Sequence, residues 1–226
     1  MKTDATIAAD LRHIAHTHQP VELLNVYEGL PVLYKAEVLK VGTEPDHALI
    51  RFSSYEAVCL TLNRRTTLLT ELLAGPVDAG VQACDLAAGT ATLDDFRYAR
   101  GRVGDRLILR VTPSEPLPVR LTSSQLDLGG LAVDLSLSGL GVTFTPPGAA
   151  ATLRRQAPVQ VKLKIEGTPL ELPGTVRYVR LVTNTCRVGI TLVPTPEARV
   201  LFQYLHARHD AILKELQERY QAALKK

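Results

Sequence analysis

The period of the hydrophobic positions changes twice along this chain. Residues 4–17 place Ile7, Leu11 and Ile14 at i, i+4 and i+7, one apolar stripe on a short helix, with Asp4 as candidate cap and Pro20 as its stop. From residue 21 to about 93 the runs become strand-like, at 32–41, 47–52 and 58–62, separated by breakers such as Gly42-Thr43-Glu44-Pro45-Asp46. The apolar run 66–73 fits either a helix or a strand. A small barrel or an open sheet is expected for this half. Residues 94–110 (DDFRYARGRVGDRLILR) differ in character, being rich in arginine and interrupted by Gly101 and Gly104.

Beyond residue 116 the strand pattern sharpens, with candidates at 117–121, 126–136, 141–144, 158–165, 170–181 and 186–193. Six short strands at this spacing predict a closed or nearly closed antiparallel barrel. Over 196–226 a helical period returns, with Leu201, Leu205, His209, Ile212, Leu216, Tyr220 and Ala223 three or four apart and Pro196 near the first turn. A helix of about 28 residues runs roughly 42 Å, long for covering one small barrel. Either its first half plugs the barrel and its second half projects, or its stripe pairs with another chain in a homo-oligomer. The predicted fold is mainly β: two small antiparallel β-barrel domains with a short N-terminal and a long C-terminal helix. The expected division is 1–97 (helix and first barrel), 98–112 (arginine-rich linker), 113–195 (second barrel) and 196–226 (helix).

Composition narrows the function. A length of 226 residues with 46% hydrophobic content suffices for a core in each of two domains. A net charge of only +3, with both signs spread along the chain, argues against wholesale neutralisation of a nucleic-acid polymer. Cys59, Cys84 and Cys186 are odd in number, far apart and without a CxxC, so neither a disulfide framework nor a zinc site is expected. The N-terminus MKTDATIAADLRHIAH lacks an apolar leader core, and no run of 18 uncharged apolar residues occurs. A cytoplasmic protein without membrane insertion is the expectation. His13, His16 and His18 share no face with a carboxylate or thiolate and read as surface histidines, as do His206 and His209. Asn63-Arg64-Arg65 reads as a loop with ordinary charges. Neither a nucleophile elbow, a glycine-rich phosphate loop nor a clustered carboxylate pair is present, so no enzyme is expected.

Two runs carry more information. Arg106 and Arg110 form an RxxxR, and 24 residues later Asp134-Leu135-Ser136-Leu137-Ser138-Gly139 forms a DxSxxG. By chance an RxxxR arises in roughly half of chains this long, but a DxSxxG in roughly one in twenty. In this order, and followed by hydrophobic alternation, the pair resembles the PilZ domain family. The resemblance extends to Arg110-Val111 followed by Pro116-Leu117-Pro118-Val119, and to Arg187-Val188-Gly189-Ile190 ahead of a proline-led helix, covering about residues 98–215. The first half is similar to the split-barrel-like β domain of two-domain members of the flagellar-brake type.

This resemblance implies a receptor for cyclic di-GMP and no other cofactor. Arg106 and Arg110 would clamp base and phosphate, Asp134 and Ser136 would be polar anchors, and Gly139 the turn. Arg102 and Arg106 make an overlapping RxxxR, so the register is open by four residues, with Arg106 and Arg110 favoured because Val111 and a strand follow. Asp105 stands where some relatives carry another arginine, which implies either a single ligand molecule or weaker binding through like-charge repulsion. The chemistry fits: a planar guanidinium meets guanine O6 and N7 or phosphate bidentately, and a carboxylate accepts from the guanine N1 and N2 edge. Asp134 and Ser136, two apart on a strand, share one face, leaving Leu135 and Leu137 for the core. The Ser136 hydroxyl can donate to a phosphate or hold the aspartate. Gly139 permits a positive φ or close backbone approach. Arg177 and Arg180 lie on a later strand, where one could stack on a guanine or both could line an exposed face. The implied output is a domain rearrangement, read by a protein of motility, pilus, secretion or exopolysaccharide machinery. The rival reading is a degenerate domain of this kind that acts only as a protein adaptor. A further alternative takes the first barrel as a flavin-binding split barrel within an enzyme.

Overall fold

Helix α1 (Asp4–Thr17) buries Ile7, Leu11 and Ile14 completely, along the stripe their spacing predicts. The computed structural model describes residues 4–42, 47–99, 109–124 and 126–225. The helix stops because the Thr17 hydroxyl donates back to the His13 carbonyl at 3.0 Å and His18 turns left-handed at φ 52°. Pro20 then opens a strand rather than closing the helix.

The chain divides into two compact units. Met1–Tyr27, Pro31–Leu107 and Ile212–Lys226 form the first, and Glu28–Leu30 and Ile108–Ala211 the second.

In the first unit β1 (Pro20–Tyr27), β2 (Leu30–Val41), β3 (Ala48–Phe52), β4 (Arg65–Leu69), β5 (Val77–Asp85) and β6 (Thr90–Tyr98) close a barrel in the order β1-β2-β3-β6-β5-β4. Closure comes from β1 on β4, with Leu23 opposite Leu68, both fully buried. Of the run 66–73, residues 66–69 lie in strand β4 and residues 70–73 form a turn. The run 58–62, expected as a strand, is instead part of helix α2 (Val58–Asn63). Its continuous apolar character buries Val58, Cys59 and Leu60 in either form; the Thr61 hydroxyl donates to the Val58 carbonyl and Arg64 ends the turn at φ 54°.

The second unit holds β7 (Arg110–Val111), β8 (Leu117–Thr122), β9 (Asp127–Ser136), β10 (Gly139–Phe144), β11 (Pro158–Ile165), β12 (Thr168–Val182) and β13 (Thr185–Leu192). Six of these strands close an antiparallel barrel in the order β10-β13-β12-β11-β8-β9, and β7 adds to β9. Strand β11 shows the governing rule, alternating exposed and buried residues along its whole length, with Val159, Val161, Leu163 and Ile165 inward. Two strands break the alternation. Val133 is an extra residue in β9 between the pairs Ala132 with Val142 and Asp134 with Gly141. Arg177 is an extra residue in β12 between Val176 with Ile190 and Tyr178 with Gly189. Each bulge turns the following residues to the opposite face.

Helix α3 (Ala198–Leu224) buries Leu201, Leu205, Ile212 and Leu216 completely. In the first unit, Tyr27 donates to Glu215 at 2.6 Å and Arg219 pairs with the same carboxylate at 2.9 Å, its guanidinium 5.9 Å from the centre of the Tyr27 ring.

Candidate ligand-binding site

The site is built around Asp134. Leu131 faces outward on β9, so plain alternation would turn Asp134 inward; the bulge at Val133 places it on the outer face instead. Its side chain is only 8% exposed, covered by two half-exposed arginines. Arg110 reaches it from β7, where pairing with Ser136 sets the guanidinium beside the carboxylate, Nη1 to Oδ1 at 3.1 Å. Arg187 reaches it from β13, Nη2 donating to Oδ2 at 2.5 Å. The Arg110 pair is an electrostatic approach without an aligned N–H, so Oδ1 is a buried acceptor with no hydrogen bond among the described residues. An acceptor in that state carries a desolvation cost that a donor from outside would relieve.

Two glycines form the floor. Gly141 faces Asp134 across β10, Gly189 faces Gly141 across β13, and Tyr178 faces Gly189 across β12. A Cβ on Gly141 would lie 2.7 Å from Asp134 Oδ2, and one on Gly189 would penetrate the Tyr178 ring. Because neither glycine has a side chain, Arg187 can cross β10 to Asp134 and the Tyr178 ring can lie flat on β13. In the adjacent row Arg187 stands opposite Arg180, a like-charge pair that a sheet does not favour on its own. With Arg177, exposed at its bulge beside Tyr178 and Arg155, the face presents four arginines (Arg110, Arg177, Arg180, Arg187) against one aspartate. Such a face suits a dianion carrying planar bases: guanidinium groups for phosphates and ring edges, an aromatic ring for stacking, and a carboxylate for N–H donors.

The residues singled out in the sequence have several fates. Arg110 and Asp134 come together. Arg102 and Arg106 lie outside the described residues. Ser136 is fully buried and donates to the Gly139 carbonyl at 2.9 Å, so it ties the two-residue turn into β10 rather than holding the aspartate or offering a donor outward. Gly139 is needed for close approach, since a Cβ there would strike the Ile190 carbonyl; its φ is not positive. Leu135 is core, but Leu137 sits in the turn after β9 and is 41% exposed, contrary to its expected place in the core. The run 63–65, expected as a loop, instead ends α2 at Asn63 and opens β4 at Arg65; Asn63 donates to the Val26 carbonyl at 3.0 Å and Arg65 pairs with Asp95 at 3.8 Å. Sequence reasoning missed Arg187, Gly141, Gly189 and Tyr178 as site residues. The only signal for Arg187 was an outward arginine in an otherwise apolar strand, and its partner is set by strand pairing.

Among the described residues no group of His, Cys, Asp and Glu could hold a metal ion, and no helix is long and apolar enough to cross a membrane.

Fold and site thus define a mainly β chain of two barrels, the second bearing an arginine-rich face around a buried carboxylate. Residues 100–207 match the family model of the PilZ domain. Among solved structures, MrkH of K. pneumonia in its apo state is 12% identical, the match covering 95% of this chain and 98% of that one with a TM-score of 0.44. YcgR of Escherichia coli in complex with c-di-GMP is 15% identical over 99% of this chain and 95% of that one, with a TM-score of 0.38. The Bacillus subtilis inhibitor of motility (MotI/DgrA) is 11% identical over 85% and 96%, with a TM-score of 0.41. No curated protein matches the chain at a significant level.

Proposed function

We propose that this chain is a receptor for cyclic di-GMP, with no catalytic activity of its own, and that the Asp134 face of the second barrel binds the ligand. The observation that carries this reading is the Asp134 carboxylate, buried between Arg110 and Arg187 with Oδ1 lacking a hydrogen bond. In the bound state Asp134 accepts from the N1 and N2 edge of one guanine, Arg110 and Arg187 turn toward phosphate and base oxygens, and Tyr178 or Arg177 stacks on a ring. Arg102 and Arg106 close over the ligand from the linker, as the family pattern implies. Ligand binding at the linker then changes the relation of the two domains, and a cytoplasmic protein of motility, pilus, secretion or exopolysaccharide machinery reads that change.

The test is isothermal calorimetry with cyclic di-GMP on the full chain, with GTP as control; the chain has no tryptophan for a fluorescence titration. Micromolar or tighter binding is expected, abolished in an Arg106→Ala, Arg110→Ala double variant that keeps its circular dichroism. Absence of heat in folded wild-type protein at two temperatures would reject the receptor reading and favour the adaptor.

A further inference from the structure

The apolar stripe of α3 is interrupted by a cation. Leu201, Leu205, Ile212 and Leu216 are fully buried, and between Leu205 and Ile212 the helical period places position 208 on the same face. Arg208 stands there, its side chain only 14% exposed. A charge held that far from water is destabilising unless its donors find partners. Its Nε donates to the Thr112 carbonyl at 3.1 Å, and Nη2 lies 3.9 Å from Glu28 Oε2. Glu28, Thr112 and Arg208 all belong to the second unit.

Thr112 is gripped from the other side as well. Its N–H donates to the Glu28 carbonyl at 2.6 Å. The approach leaves no room for a side chain at the next residue: a Cβ on Gly29 would lie 3.1 Å from the Thr112 nitrogen, and Gly29 is left-handed at φ 80°. Both backbone groups of Thr112 are therefore bound by residues far from it in the chain.

What precedes Thr112 gives this arrangement its consequence. Arg110 and Val111 are the whole of β7, an edge strand paired on one side only, to Ser136 and Leu135 of β9. Two ladder pairs at an edge are a weak hold and open easily. The Arg110 guanidinium depends on that hold for its place beside Asp134 Oδ1. An extended residue spans about 3.4 Å, so fixing Thr112 keeps the Arg110 Cα within roughly 7 Å of a fixed point.

We infer that Arg208 is a positioning residue for the ligand site. Together with the Glu28-Gly29 turn it clasps Thr112, holds β7 on β9, and so sets the Arg110 guanidinium at Asp134. Its consequence rests on the receptor reading: the affinity for cyclic di-GMP depends on an arginine of α3 that acts through Arg110.

The test makes two measurements on the full chain. Arg208→Met keeps an unbranched stem in the apolar stripe and removes every donor. In ligand-free protein, amide hydrogen exchange followed by NMR should be at least tenfold faster at Arg110, Val111 and Thr112 in this variant, while Val161 and Leu163 of β11 keep wild-type rates. By calorimetry it should bind cyclic di-GMP about tenfold more weakly, with a melting temperature equal to or above that of wild type, an outcome that a merely structural role would not give. Arg208→Gln, whose amide can still donate to the Thr112 carbonyl without the charge, should bind within threefold of wild type. Arg199→Ala removes a cation from an exposed position of the same helix and should bind within twofold. Gly29→Ala attacks the clasp from its other side and should weaken binding about tenfold; it carries the comparison if Arg208→Met does not fold. The two changes together should cost no more than about twentyfold, because both act on one contact. The proposal is overturned if exchange at residues 110–112 is unchanged in the ligand-free variant, if the variant binds cyclic di-GMP as wild type does, or if Arg199→Ala loses as much affinity. A wild type that gives no heat with cyclic di-GMP rejects the receptor reading instead, and the exchange rates decide the clasp by themselves.

Discussion

Arg187 donates to the carboxylate of Asp134 from 53 positions further along the chain. The two residues stand on strands separated by β10, and the bond crosses that strand over Gly141. Arg187→Ala leaves Asp134, 8% exposed, with Arg110 as its sole counterion among the described residues. Loss of one partner of a buried carboxylate should lower unfolding stability by about 1–3 kcal/mol and reduce cyclic di-GMP affinity at least tenfold. Urea unfolding and calorimetry on the same preparation measure both. Unchanged ligand affinity would remove Arg187 from the site.

Gly141→Ala tests the floor. The added methyl would lie 2.7 Å from Asp134 Oδ2, so the carboxylate must swing away from Arg187. Binding should fall at least tenfold while the barrel persists, as read by calorimetry and far-ultraviolet circular dichroism. Gly189→Ala should act similarly through the Tyr178 ring, and Tyr178→Ala should weaken binding by several-fold if that ring stacks on a base.

Ser136→Ala separates turn-making from ligand contact. The hydroxyl is buried and its bond goes to the Gly139 carbonyl. Removing it should cost about 1 kcal/mol, a fall in melting temperature of about 2–4 °C for a chain of this size. Ligand affinity should change less than threefold. A tenfold loss with unaltered melting would instead make Ser136 a direct ligand donor.

Two thiols of the first barrel give a pH signature. Burial, with the nearby Glu56 adding to it, pushes the Cys59 thiol up from its ordinary 9.0 to about 12; burial and then Asp85 push Cys84 up to about 11. In both, the folded chain favours the protonated thiol more than the unfolded chain does. That contribution to stability is complete below pH 9 and is lost as pH rises through 11 and 12. Urea midpoints measured at pH 8, 9 and 10 should therefore decline over the last interval, and a Cys59→Ala, Cys84→Ala variant should show a smaller decline.

Much of this was legible in local pattern. The stripe of Ile7, Leu11 and Ile14 and that of Leu201, Leu205, Ile212 and Leu216 appear as buried helix faces, and the strand at 158–165 has the bounds its alternation indicates. Arg110 and Asp134 were legible as a pair because a short motif spacing names both. The failures have a common cause. The run at 58–62 is apolar except for Thr61, and its buried part, Val58-Cys59-Leu60, is too short for periodicity to choose between helix and strand. Leu137 follows the alternation of β9 on paper, but the strand ends at Ser136.

By itself, then, the sequence determined the mainly β class, the helices at either end and the presence of a guanidinium and carboxylate motif, since each follows from local periods and spacings. Tertiary structure alone decided which groups meet. The bulges at Val133 and Arg177 reset which face each following residue occupies, and a one-residue change of register reverses every side chain after it. Only closure of the barrel places Gly141, Gly189, Tyr178 and Arg187 beside Asp134, because those neighbours are fixed by hydrogen bonding between strands far apart in the chain.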